Sequence, residues 1–211
     1  MTYLQPARIG RLLQEPRRTR YPAQSMSSAR CAVFLDRDGV INRAEVRAGK
    51  SYAPSTLEGL SVLPGVAESL IRLRQAGYLT LVVTNQPDVG KGTLGRDVVE
   101  AMHARLAREL ALDAIYVCYH VAEDRCSCRK PEPGMLLEAA SDWGVDLAGS
   151  WMVGDRWRDV GAGRAAGTHT IWIDCGYDEP RAESPDWVVR SLPEAAEIIL
   201  AASRSDLASQ Q

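Results

Sequence analysis

A chain of 211 residues, 45% hydrophobic and 25% charged, is long enough to bury one sizeable core and has an ordinary globular composition. A net charge of -2 gives no overall basic field for nucleic acid, and no apolar run approaches the ~18 residues of a membrane span, so neither partner is expected. Five cysteines, at 31, 118, 126, 128 and 175, are too few and too uneven for a disulfide scaffold.

The first 28 residues stand apart. Arg8, Arg11, Arg17, Arg18 and Arg20 face one acid, Glu15, so this segment carries +4 and the rest of the chain -6. It lacks the apolar stretch of a secretory signal; its Arg-rich, acid-poor composition resembles a transit peptide, but it reads foremost as a disordered basic tail or an upstream extension with the functional start at Met26. The domain is expected over residues 29–203, ahead of a frayed polar tail at 204–211.

From residue 32, strands and helices alternate. Ala32 to Leu35 is a short apolar run ending at Asp36 and reads as a buried strand. Pro64-Gly65 opens a helix whose Val66, Leu70 and Leu73 share a face, with Gly77 as its stop. Leu79 to Val83 predicts the next strand, ending at Thr84, and residues 95–110 a helix with Val99, Met102, Leu106 and Leu110 on one stripe. Ile115 to Cys118 reads as a strand leading into a cysteine-rich loop, and Pro133-Gly134 starts a helix through Ala140. Trp151 to Val153 predicts a strand ending at Gly154-Asp155, followed by a small-residue helix to Ala166. Strands at 170–173 and 187–189 and a helix from Pro193 complete the pattern.

This alternation predicts an α/β fold, a Rossmann-like parallel sheet with helices on both faces. Ligands bind such sheets at the carboxyl ends of the strands, where Asp36, Thr84 and Asp155 fall. Only residues 42–63 offer a sizeable insertion, which predicts a minimal cap, a small flap around Tyr52.

Four elements at that edge carry chemistry. Asp36-Arg37-Asp38-Gly39-Val40-Ile41-Asn42 directly follows a strand. One carboxylate there can attack phosphorus while a second, two residues on, exchanges a proton with the leaving oxygen. A calcium loop competes, but it wants glycine at its sixth position after a helix, and Gly39 is fourth after a strand. Thr84-Asn85-Gln86 offers a hydroxyl and two amides, suited to phosphoryl oxygens or to ordinary turn chemistry. Lys130, within Arg129-Lys130-Pro131, can neutralise charge building on a phosphate. Asp155, within Gly154-Asp155-Arg156-Trp157-Arg158-Asp159, can complete a Mg²⁺ shell with Asp36 and the Asp38 carbonyl. Asp159 reads as a carboxylate in the first turn of a helix.

Taken in this order, the four elements resemble the haloacid dehalogenase superfamily of phosphohydrolases over nearly all of residues 30–200. The resemblance implies Mg²⁺-dependent hydrolysis with Asp36 as nucleophile and Asp38 as general acid/base. Thr84 and Lys130 then stabilise the phosphoryl group, and Asp36, Asp38 and Asp155 hold magnesium. The acid at position 38 implies hydrolysis in preference to dehalogenation or a long-lived aspartyl phosphate.

Cys118, His120, Cys126 and Cys128 place three thiolates and an imidazole on one loop, a set suited to a structural Zn²⁺ that aims Arg129 and Lys130. Free thiols, or a strained 126–128 disulfide, are the alternatives. This loop, placed before Cys128-Arg129-Lys130-Pro131, resembles the branch of heptose 1,7-bisphosphate and histidinol-phosphate phosphatases. The stretch Cys128 to Leu137 and Met152-Val153-Gly154-Asp155 look more like the heptose enzymes. The short loop from His120 to Cys126 looks like the histidinol enzymes, and Val40, Pro87 and Arg156 depart from the heptose pattern of Thr, Ser and Lys. In this branch Arg129 recognises substrate; Asn42, Asn85, Gln86 and Arg156 are the further contacts expected. A guanidinium at 129 suits a second anionic group. The resemblance therefore implies a small sugar phosphate, foremost heptose 1,7-bisphosphate losing its 7-phosphate. Histidinol-phosphate hydrolysis and a catalytically silent phosphate binder are the competing readings, and a cytoplasmic monomer is expected. His103, His169, Cys31 and Cys175 read as structural, and the five tryptophans as anchors.

Overall fold

The computed structural model describes residues 30–209, and side chains as far as residue 204; the basic segment 1–28 lies outside the described residues. In chain order the strands are β1 (Ala32–Leu35), β2 (Glu45–Arg47), β3 (Lys50–Tyr52), β4 (Leu79–Asn85), β5 (Ala114–Cys118), β6 (Trp151–Gly154), β7 (His169–Ile173) and β8 (Trp187–Val189). Six of them form one parallel sheet in the order β5-β4-β1-β6-β7-β8, while β2 and β3 pair antiparallel as a hairpin.

All four residues of β1 are fully buried, and they alternate between two cores. Val33 and Leu35 join Val82, Val117 and Val153 on one face; Ala32 and Phe34 join Leu81, Tyr116 and Met152 on the other. A strand covered on both faces must be apolar at every position, which is why the sequence shows runs where a half-exposed strand would alternate. Helices α1 (Val66–Gln75), α3 (Arg96–Glu109) and α6 (Leu192–Ser209) cover the first face through Leu70, Leu106 and Ile199. Helices α4 (Gly134–Trp143) and α5 (Trp157–Ala166) cover the second through Met135 and Ala162, and α2 (Pro87–Gly90) is a single turn. Phe34→Ala, in the middle of the second core, would cost about 3–5 kcal/mol.

The chain lays β1, β4 and β5 outward, then returns to place β6 against the other edge of β1. Connections diverge beside β1, and the carboxyl ends of β1, β4 and β6 bound a crevice there. Leu35 is level with Val82 and Val153, so Asp36, Thr84 and Asp155 leave the sheet close together.

Three boundaries differ from expectation by two residues or more. β4 is two residues longer, because Thr84 and Asn85 still pair with Val117 and Cys118; a polar side chain does not end a strand whose backbone has a partner. α4 runs on to Trp143. α6 continues through Ser209, beyond residue 203, where a frayed tail was expected; Ala201, Ala202, Leu207 and Ala208 are good helix formers. The insertion at 42–63 contains the hairpin, as the flap reading required.

Candidate active site

Asp36 directly follows β1, and its N–H still donates to the Val153 carbonyl at 2.9 Å, so strand pairing fixes its position. Its carboxylate accepts from Lys130 Nζ at 2.8 Å. Lys130 is buried, donates also to the Val83 carbonyl at 2.7 Å, and pairs with Asp159 at 2.6 Å. Burial opposes the Lys130 charge, but Asp159 and Asp36 outweigh it and raise the pKa above the ordinary lysine value. Burial raises the Asp36 carboxyl, with Lys130 opposing and Asp159 adding.

Asp155 is 3% exposed, and among the described residues neither of its carboxylate oxygens has a hydrogen-bond partner. Burial, then the charges of Asp36 and Asp159, push its carboxyl well above the usual range. Gly39 explains the close approach: its φ is +88°, and a Cβ there would lie 2.0 Å from Asp155 Oδ2. One oxygen each from Asp36, Asp155 and Asp159 lie within 4.8 Å of one another. Three hard oxygen donors, one with two idle oxygens, fit a divalent cation such as Mg²⁺. Asp159 is the least available of them. Its Oδ1 faces Lys130, and its Oδ2 accepts from the Arg156 N–H at 2.9 Å, closing the first turn of α5 from the N3 position. The first-turn reading of Asp159 thus holds, and its ion pair with Lys130 is an addition that spacing alone did not show.

The Asp38 carboxylate lies outside this cluster, so any share it takes in cation binding falls to its carbonyl. Five donated bonds hold it. Arg37 Nε and Nη2 reach Oδ1 at 3.1 and 2.9 Å and Nη2 reaches Oδ2 at 2.8 Å, while Asn42 Nδ2 and Gln86 Nε2 donate at 2.9 and 2.8 Å. Arg37 is fully buried, and its Nη1 lies 2.9 Å from His103 Nε2. A guanidinium only donates, so Nε2 accepts and the His103 proton sits on Nδ1. Burial, then the Arg37 charge, hold the His103 pKa well below its ordinary value. Arg37 and His103 are supports that sequence reading missed as such. The first sits between two singled-out aspartates, the second on the apolar stripe of α3.

A cavity of about 280 Å³ opens here, lined by Asp36, Asp38, Lys130, Gln86, Arg129 and Arg156 among others, and flanked by Ser51 and Tyr52 of β3. Two expected substrate contacts do other work. Asn42 is fully buried and spends Nδ2 on Asp38 and the Arg43 carbonyl. Asn85 lines the cavity, but both ends of its amide clasp the Lys130 backbone, at 3.0 and 3.1 Å. Thr84 is buried, and its hydroxyl accepts from Gln86 at 3.1 Å. Arg129 faces the cavity with Nη1 on the His120 carbonyl. Arg156 pairs with Glu179 and donates to the Ser51 carbonyl, which ties it to the flap.

Next to Lys130 the four sulfur and nitrogen donors converge. Cys128 Sγ lies 3.3 Å from Cys118 Sγ, 3.4 Å from Cys126 Sγ and 3.3 Å from His120 Nδ1. Cys118 Sγ lies 3.7 Å from Cys126 Sγ and 3.6 Å from His120 Nδ1. Disulfides, at about 2.05 Å, are excluded. A tetrahedron with metal–sulfur distances of about 2.3 Å has edges of about 3.7 Å, so the set fits Zn²⁺ closely. Gly134 seats the loop on α4: its N–H donates to the Ser127 carbonyl at 3.0 Å, and a Cβ would meet that oxygen at 2.2 Å.

Comparison with known proteins agrees with this geometry. A family model described as HAD-hydrolase-like matches residues 127–195. The chain is 40% identical over 154 residues, 70% of its length and 83% of the relative's, to the D-glycero-beta-D-manno-heptose-1,7-bisphosphate 7-phosphatase of Pseudomonas aeruginosa. It is 37% identical over 183 residues, 80% of its length and 93% of the relative's, to the enzyme of that name from Escherichia coli. Among solved structures, the D,D-heptose 1,7-bisphosphate phosphatase of Bordetella bronchiseptica, complexed with magnesium and phosphate, superposes with a TM-score of 0.67 at 31% identity, covering 82% of this chain and 99% of that one.

Proposed function

The chain belongs to the haloacid dehalogenase-like phosphatases, and from that membership we propose that it removes the 7-phosphate of D-glycero-D-manno-heptose 1,7-bisphosphate through a phosphoaspartate on Asp36. The observation that carries the reading is the grouping of Asp36, Lys130 and the unpartnered Asp155 at a cavity that arginines also line.

Strand pairing and Lys130 hold Asp36 so that it meets the phosphorus in line with the leaving oxygen. Asp38, lining the same cavity, gives that oxygen its proton, then takes one from the water that hydrolyses the phosphoaspartate and restores Asp36. Lys130 stays beside the phosphoryl oxygens as charge accumulates, kept in register by Asn85. Bound by Asp36, Asp155 and the Asp38 carbonyl, Mg²⁺ would offset the repulsion between the attacking carboxylate and an anionic phosphate. Zn²⁺ on Cys118, His120, Cys126 and Cys128 is structural in this reading, since four protein donors close its shell. Thiolate ligands suit a reducing compartment, which supports a cytoplasmic setting, and a monomer suffices because one chain supplies every site residue. Among the described residues no helix is long and apolar enough to cross a membrane.

The test is phosphate release with Mg²⁺ from both heptose 1,7-bisphosphate anomers, fructose 1,6-bisphosphate and histidinol phosphate. The reading expects the highest kcat/KM on a heptose bisphosphate; histidinol phosphate as the best substrate would reject it.

A further inference from the structure

Three arginines, 129, 156 and 158, line the cavity, but they are not equivalent. Arg156 is neutralised by Glu179 at 2.9 Å and spends another bond on the Ser51 carbonyl. Arg129 has a carbonyl on Nη1 and, among the described residues, no carboxylate within 4 Å. Arg158 makes no ion pair there either, and its guanidinium lies over the Trp157 ring, 5.0 Å from the centroid. It also stands in the first turn of α5, the positive end of the helix, where a cation is disfavoured and an acid such as Asp159 is preferred. Arg129 and Arg156 are the nearest like charges to it, and Asp159 and Glu179 offset them only in part. A chain that keeps two unneutralised cations beside one cavity, one of them at the wrong end of a helix, has a local conflict of the kind an anionic ligand resolves.

We infer that Arg158 is a specificity-determining residue: with Arg129 it clamps the substrate's second anionic group, while Arg156 anchors the flap. The assignment rests on the phosphatase reading above but not on the identity of the sugar. Trp157 lies under the Arg158 guanidinium, which favours bidentate contact with a phosphate and leaves lysine, a point charge, as a partial substitute.

The experiment measures kcat/KM on matched pairs, heptose 1,7-bisphosphate against heptose 7-phosphate and fructose 1,6-bisphosphate against fructose 6-phosphate, for the wild type, Arg158→Gln and Arg158→Lys. The clamp predicts that the wild type favours the bisphosphate in at least one pair, and that Arg158→Gln cuts the bisphosphate-to-monophosphate ratio about tenfold or more, mainly through KM. Arg158→Lys restores part of the ratio, which a misfolded variant would not do. A wild-type ratio near one in both pairs, or a ratio that Arg158→Gln leaves intact, overturns the clamp. Which sugar is preferred decides the heptose reading separately, so the two failures are distinguishable.

Discussion

Two donor clusters sit at the carboxyl edge of the sheet, joined by the dipeptide Arg129-Lys130. One groups Asp36, Asp155 and Asp159, with Lys130 paired to Asp36 and Asp159; the other groups Cys118, His120, Cys126 and Cys128. The sulfur cluster closes on itself, each donor within 3.7 Å of at least two others. The carboxylate cluster is left open: Asp155 has two idle oxygens, and Asp36 opens onto a cavity. Four donors facing inward would leave a metal no position for chemistry, whereas buried carboxylates in excess of their cations could hold a metal and still attack. In the proposed reading, the soft cluster therefore sets geometry and the hard cluster carries the reaction.

Substitutions in each cluster sharpen or break this contrast. Asp36→Asn should lower kcat about 10⁴-fold or more while leaving the unfolding midpoint near that of the wild type. Appreciable turnover by this variant would remove Asp36 from the chemistry. Cys126→Ser should do the reverse in kind, losing zinc by elemental analysis and costing several kcal/mol, a fall in Tm on the order of 10 °C. A Tm unchanged by the substitution would reduce the sulfur cluster to free thiols. Mg²⁺ at a hundredfold excess over its Kd should stabilise the wild type by about 2.7 kcal/mol and have little effect on Asp155→Asn. Equal stabilisation of both proteins would place the ion elsewhere. Asn85→Ala, which frees the Lys130 backbone between the clusters, should cost about 1–3 kcal/mol and slow kcat with little change in zinc content.

The smallest effect concerns Arg37 and His103. The folded chain keeps His103 neutral, with its pKa below the ordinary 6.5, whereas the unfolded chain protonates it as pH falls through that value. The unfolded state then binds more protons, so stability falls with decreasing pH, by at most about 1.4 kcal/mol per unit below pH 6.5. His103→Gln lacks this loss. Urea unfolding between pH 7.5 and 5.5 should therefore show the wild type losing more stability than the variant; parallel curves would mean that the fold does not hold His103 neutral.

Much of the site was legible because its residues lie at strand ends, which apolar runs mark clearly. Asp36 and Asp155 were placed at strand ends by the runs before them, and the grouping of Cys118, His120, Cys126 and Cys128 by their spacing. The hydrogen bonds of Asn42, Asn85 and Thr84 were not legible. Hydrogen-bond partners come from distant segments, and one sequence does not show that Asn85 meets the backbone of residue 130. Arg37 and His103 escaped for the same reason, since their contact spans 66 residues. Arg158 left a local sign, a cation in the first turn of a helix, that only its neighbours make meaningful.

The central claim is that the open carboxylate cluster performs the chemistry through Asp36. Rapid acid quench of a single turnover with substrate labelled at the reactive phosphate tests it most directly. The account predicts transient, hydroxylamine-labile label on the peptide containing Asp36, absent in Asp36→Asn. Stable label on another residue, or phosphate released with no protein-bound label at any time, would contradict it.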